Sequence, residues 1–198
     1  MSSYAKSART QTEILDAAWG LISANGADVS MAEIAKMVGL SRQAVYLHFG
    51  TRGGLLMALV RRADDRFEVK EDFFAAMERP AAAEKLDACL QVWFEFVRKI
   101  LPVARDLVRL RATDADAAAA WEDRMMDLRS WIAVLVRHLK TEGALASHWT
   151  QEEATDYIWT ASSVQTWDML VTERGWSEHR AETVLRQSIA LCVLRPVP

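Results

Sequence analysis

Apolar residues recur at helical spacing from one end of this chain to the other, and no stretch alternates with period two for long enough to make a strand. Ile14, Leu15, Ala18, Leu21 and Ile22 share one face of a predicted helix over about residues 8–24, stopped near Asn25-Gly26. Two short helices follow between Ser30 and Phe49. A longer one is predicted from about Gly53 to Met77, ahead of Arg79-Pro80. The next runs over about 82–101 and is stopped by Pro102, with a short helix on to about Arg111. Ala115–Ala120 opens a helix that reaches about Lys140. Thr150 and Glu153 have capping-box spacing and start a helix that Gly175 ends near Arg174. Ser177 caps the last helix, which extends to about Leu194 before Pro196. The pattern predicts an all-α protein of about nine helices.

The short pair carries the candidate chemistry. Ser30 and Glu33 form a capping box, each side chain satisfying an orphan backbone N–H at the helix start. Ile34, Ala35 and Val38 give that helix one apolar face, and Gly39 supplies the left-handed residue that ends it. Ser41 caps the second helix, and Val45 falls where it packs back on Ala35. Arg42, Gln43, Ala44 and Tyr46 are left pointing outward. This is a helix-turn-helix whose outward side chains suit a major groove. Charge is distributed to match. Residues 1–62 hold seven Lys/Arg against four Asp/Glu, while the remainder is net acidic within an overall charge of −3. A basic head on an acidic body binds phosphates at one end.

The run Val45-Tyr46-Leu47-His48-Phe49-Gly50-Thr51-Arg52, followed by Leu55-Leu56, resembles the DNA-binding signature of the TetR family of bacterial transcriptional regulators. The similarity covers roughly residues 8–58, and Glu173-Arg174-Gly175-Trp176 resembles the turn between the last two helices of many members. The resemblance implies a three-helix DNA-binding domain over 1–55 and a larger helical domain over 56–198 that binds a ligand and dimerises. On that basis, Arg42 and Gln43 are expected to read bases. Tyr46, His48 and Arg52, with the helix starts at Ser30 and Ser41, are expected to grip phosphates, and Ala44 lies on the same face. Gly53 stands where the family commonly has an acidic residue. A glycine there weakens helix initiation by up to about 1 kcal/mol, which predicts a looser hinge below the recognition helix.

Eight tryptophans change the picture of the body, since only Trp19 lies in the head. Cys89, Trp93 and Phe96 share one helical face, and Leu128, Trp131 and Leu135 share another. The resemblance implies that these faces, with Ser162 and Thr166, line an effector pocket, and their chemistry predicts a small apolar or aromatic ligand. Thr155, Trp159, Ser162, Thr166 and Leu170 on one helix, with Ala181, Leu185, Ser188 and Cys192 on the last, are stripes of small and bulky residues. The resemblance implies a homodimer built from them across a two-fold axis, facing a palindromic operator in double-stranded DNA.

Other classes are disfavoured. His48, His138, His148 and His179 lack metal spacing, and no nucleophile elbow, P-loop or dinucleotide fingerprint is present. Glu152-Glu153 and Asp64-Asp65 are simplest as solvated faces. An enzyme is not expected, nor any cofactor or metal. Cys89 and Cys192 lie far apart in apolar stretches and are expected as buried free thiols. With no run of 18 apolar residues and no apolar leader, a cytoplasmic protein without a membrane span is expected. The expected function is a ligand-responsive transcriptional regulator, most simply a repressor. The alternative is a DNA-bound architectural protein that presents a surface to a protein partner and has no small-molecule effector.

Overall fold

The computed structural model describes residues 3–25 and 29–196, so the Gly26 stop expected for the first helix lies outside the described residues. The helices are α1 (Ser3–Asn25), α2 (Met31–Met37), α3 (Arg42–Phe49), α4 (Arg52–Phe67) and α5 (Val69–Ala76). They continue with α6 (Ala82–Leu110), α7 (Ala115–Thr141), α8 (Gln151–Ala161), α9 (Val164–Asp168) and α10 (Glu178–Val193). A π-helical turn, Met169–Glu173, prolongs α9. None of these helices is long and apolar enough to cross a membrane.

The chain forms two compact units. One comprises Met1–Arg66 with Ile100–Asp123, the other Phe67–Lys99 with Arg124–Pro198. The division differs from a single cut at 55/56, because the end of α6 and the start of α7 pack with the helix-turn-helix. In the first unit Ile14, Ala18 and Ile22 of α1 are fully buried, as are Ile34 of α2, Val45 of α3 and Leu55 and Leu56 of α4. The second unit is cored by Phe73, Phe94, Leu135, Ile158, Trp167 and Ile189, each almost wholly inaccessible. Its C-terminal end is tied down by an antiparallel bridge, in which Ala146 N–H donates to the Val193 carbonyl at 2.9 Å.

Three helical segments depart from the pattern. The helix expected over 53–77 breaks at Glu68, which adopts a left-handed conformation (φ 46°, ψ 33°) that costs a non-glycine residue about 1–2 kcal/mol. Val69, Phe73 and Ala76 beyond the break are buried, so packing outweighs that cost. Pro102 does not stop its helix; α6 runs through it to Leu110. Proline removes one backbone hydrogen bond and crowds the preceding turn, at about 3 kcal/mol. Burial of Ile100, Leu101, Val103, Ala104 and Leu107 around it offsets the penalty. The helix expected from 151 to 174 is interrupted at Ser162-Ser163, where Ser163 caps α9 by accepting from Thr166 N–H at 3.1 Å. The Trp93 indole N–H donates to the Ser162 carbonyl at 2.7 Å, satisfying a group beside the break.

Candidate nucleic-acid interface

The α2–α3 pair is held by local chemistry. Ser30 N–H donates to Glu33 Oε2 at 2.7 Å and Glu33 N–H to Ser30 Oγ at 3.2 Å, completing the capping box. These bonds hold the Glu33 carboxyl below its ordinary value, with a smaller contribution from the Arg52 charge. Gly39 turns the chain at φ +68°, and Ser41 Oγ accepts from Ala44 N–H at 3.1 Å. Val45 is the one buried side chain of α3. Gln43 is exposed and Ala44 and His48 are half-buried. The Arg42 guanidinium lies over the Tyr46 ring, 5.3 Å from its centroid, and donates to the Tyr46 hydroxyl at 3.3 Å.

Arg52 is not a side chain waiting in solvent. It donates from Nε to Asp106 Oδ2 at 2.9 Å and also to the Val29 carbonyl. Asp106, on α6, is fully buried and accepts from Arg109 at 2.9 Å as well. Arg42, Tyr46, Arg52 and Arg109 meet the chain around Ser30 in a cleft of about 360 Å³. Arg109 lay outside the resemblance, and no local pattern pointed to it.

Gly53 departs from the looser hinge expected of it. Its N–H donates to Asp114 Oδ2 at 3.2 Å, and a Cβ at this position would stand 2.4 Å from Ala117 N. The glycine allows the start of α4 to approach the start of α7, where Thr51 Oγ1 donates to Asp116 Oδ2 at 2.6 Å. Gly54 has the same restriction, its added Cβ falling 2.2 Å from the Phe49 carbonyl oxygen.

Residues 14–59 match the family model described as bacterial regulatory proteins, tetR family. The helix-turn-helix segment of this chain is therefore similar to that of the TetR family. The fold of the chain is that of TetR-family structures. Solved structures similar in fold include a transcriptional regulator from Saccharomonospora viridis in complex with choline, 19% identical with a TM-score of 0.74, covering 96% of this chain and 100% of that one. The fatty acid degradation regulator FadR from Bacillus halodurans is 18% identical, with a TM-score of 0.71 over 91% of this chain and 94% of its own. A TetR regulator from Haloarcula marismortui is 16% identical, with a TM-score of 0.74 over 95% and 100%. No curated protein matches this sequence.

In the second unit, Cys89, Trp93, Phe96, Leu128, Trp131, Leu135 and Ser162 are all buried and Thr166 is half-buried. Trp93 and Phe96 pack with ring centroids 5.9 Å apart, and Trp131 meets Phe73 at 5.8 Å. Cys89 lies against the Phe73 carbonyl at 3.5 Å, and burial pushes its thiol up to about 12, so it packs as a small apolar group. The two hydroxyls expected as polar anchors are used within the fold. Ser162 Oγ donates to the Ile158 carbonyl at 2.7 Å and Thr166 Oγ1 to the Thr160 carbonyl at 3.1 Å. Trp167, stacked on Phe94 at 5.3 Å and fully buried, has an indole N–H without a partner, as has the buried Gln165 Oε1. Nothing in the sequence singles Trp167 out from the other tryptophans.

The stripes expected at a dimer interface divide. Thr155, Ser162, Ala181 and Leu185 are buried within the second unit, so those side chains are turned inward rather than outward. Trp159 is half-buried and donates to the Met125 carbonyl at 3.0 Å; Thr166 and Leu170 are also half-buried. Helical spacing defines a face but not which neighbour covers it. Ser188 and Cys192 are exposed, which corrects the expectation that both cysteines are buried. Leu191, between them on α10, is 83% exposed.

Proposed function

We propose that this chain is a homodimeric, ligand-responsive repressor that acts in the cytoplasm. It leaves a palindromic operator when a small, mostly apolar or aromatic effector binds the second unit. The observation that carries the DNA half is the capped α2–α3 pair, with Gln43 outward and Val45 inward. Gln43 is the base reader, suited to adenine N6/N7. Arg42, drawn onto Tyr46, joins it at the phosphates together with His48 and the starts of α2 and α3 at Ser30 and Ser41. Ala44 flanks them. Arg52, held by Asp106, positions α4 rather than taking a phosphate itself.

The effector half is supported by the aromatic set around Trp93, Phe96 and Trp131, and by neighbours in fold whose names include a choline complex and a fatty acid degradation regulator. The unpartnered Trp167 N–H favours an effector with one hydrogen-bond acceptor. Dimerisation is assigned to the outward residues of α10, Ser188, Leu191 and Cys192, together with half-buried Leu170 of the other expected stripe.

Selection of duplexes from a randomised library by the full-length protein tests the DNA half. An imperfect palindrome is expected, and Gln43→Ala should relax one position per half-site by about 1–3 kcal/mol. Recovery of no common sequence, or an unchanged preference in the variant, would refute it.

A further inference from the structure

The outward crest of α3 holds a residue that the DNA assignment above leaves unused. Successive α-helical residues are about 100° apart. Measured from buried Val45, Gln43 and Leu47 each lie about 160° away, on either side of the outward pole. The two are an i, i+4 pair and form one ridge. Arg42 and Tyr46 lie about 60° and 100° from Val45, on a flank, bonded to each other at 3.3 Å and lining the arginine cleft. Leu47 is 84% exposed. An exposed leucine alone is ordinary. One placed in register with the base-reading glutamine, at the crest of a recognition helix, has a chemical role open to it.

We propose that Leu47 is a specificity-determining residue whose side chain packs on the 5-methyl group of a thymine in the operator. This rests on the DNA assignment made above. A leucine offers no donor, acceptor or charge, so it contributes nothing to a phosphate and cannot distinguish bases by hydrogen bonding. The thymine methyl is the apolar feature of the major-groove edge, and burying it removes apolar surface from water on both partners. Side chains at i and i+4 stand about 5–6 Å apart, and base pairs rise about 3.4 Å. The thymine therefore lies one or two base pairs from the base that Gln43 reads.

The test uses the full-length protein and the duplex it selects from a randomised library. Each thymine of that duplex is replaced in turn by deoxyuridine, which deletes the methyl and keeps every hydrogen-bonding group. Wild-type protein should lose affinity roughly three- to fourfold at one position per half-site, the value of one buried methyl. Leu47→Ala should bind the thymine duplex more weakly and show no further loss on uracil substitution there. Its salt dependence should match wild type, because no phosphate contact is removed. Leu47→Met, which keeps an apolar reach, should retain part of the thymine preference. A flat uracil scan with wild-type protein, or the same loss in Leu47→Ala, overturns the role of Leu47 alone. A library from which nothing is enriched overturns the DNA assignment and this inference with it.

Discussion

Replacing Gly53 by alanine sets two effects of opposite sign against each other. In an unobstructed helix the change stabilises by about 1 kcal/mol. At Gly53 the new Cβ would stand 2.4 Å from Ala117 N and 2.5 Å from Asp114 Oδ1. The first of these is backbone and cannot rotate away. Relief requires the starts of α4 and α7 to separate, which breaks the 3.2 Å bond from Gly53 N–H to Asp114 and strains that from Thr51 to Asp116. Overpacking costs about 1–3 kcal/mol and a lost bond to a charged acceptor about 1.5–3 kcal/mol. After the helix-propensity gain of about 1 kcal/mol, the net loss is about 1.5–5 kcal/mol. For a chain of this length that lowers Tm by roughly 3–20 °C. Gly20→Ala in α1 is the control, since its Cβ would meet nothing within 4 Å and the residue is exposed. It should raise Tm slightly. Thermal unfolding followed by circular dichroism, at equal protein concentration, measures both. A Tm for Gly53→Ala equal to or above wild type would refute the close approach of the two helix starts.

Arg52→Ala leaves fully buried Asp106 paired with the more exposed Arg109, and should cost about 3 kcal/mol of stability while changing the salt dependence of DNA binding little; calorimetry and operator titration against salt separate the two. Leu191→Asp should yield folded monomers that bind the operator poorly, as seen by light scattering, whereas Leu185→Asp should unfold the second unit because Leu185 is buried there. The Glu33 and Glu153 carboxyls are held below their ordinary 4.5 by bonds to Ser30 and Thr150. A folded value below the unfolded one stabilises above about 4.5 and is lost as pH falls through the folded value, so Glu33→Gln should flatten part of the acid limb of a Tm–pH curve.

The features legible in the sequence are those set by neighbours a few residues apart. The caps at Ser30, Ser41, Thr150 and Ser177 need only a hydroxyl and the next turn of backbone, and each accepts the N–H expected of it. Breaks and continuations set by packing were not legible. No glycine or proline marks the break at Glu68, and Pro102 sits inside a helix because the residues around it are buried. The Ser163-to-Thr166 cap was a local signal that could have located the break in the 151–174 segment. Gly53 shows the same limit at the candidate site. Propensity alone makes it a weak helix start, while the neighbour that requires a glycine, Ala117, lies far along the chain. Arg52 and Arg109 were invisible as a pair for the same reason, since buried Asp106 joins them only in the fold.

The central claim is that effector and operator compete through one protein. The direct measurement is operator affinity of the full-length protein with and without a small apolar compound that changes its tryptophan fluorescence. Linkage predicts a coupling of about 1–3 kcal/mol, so saturating compound should weaken operator binding by roughly 5- to 150-fold, and operator should weaken the compound equally. Trp93→Ala and Trp131→Ala should lose that response and keep operator affinity. A compound that saturates the second unit yet leaves operator affinity unchanged would contradict the repressor switch and favour a DNA-bound scaffold for a protein partner.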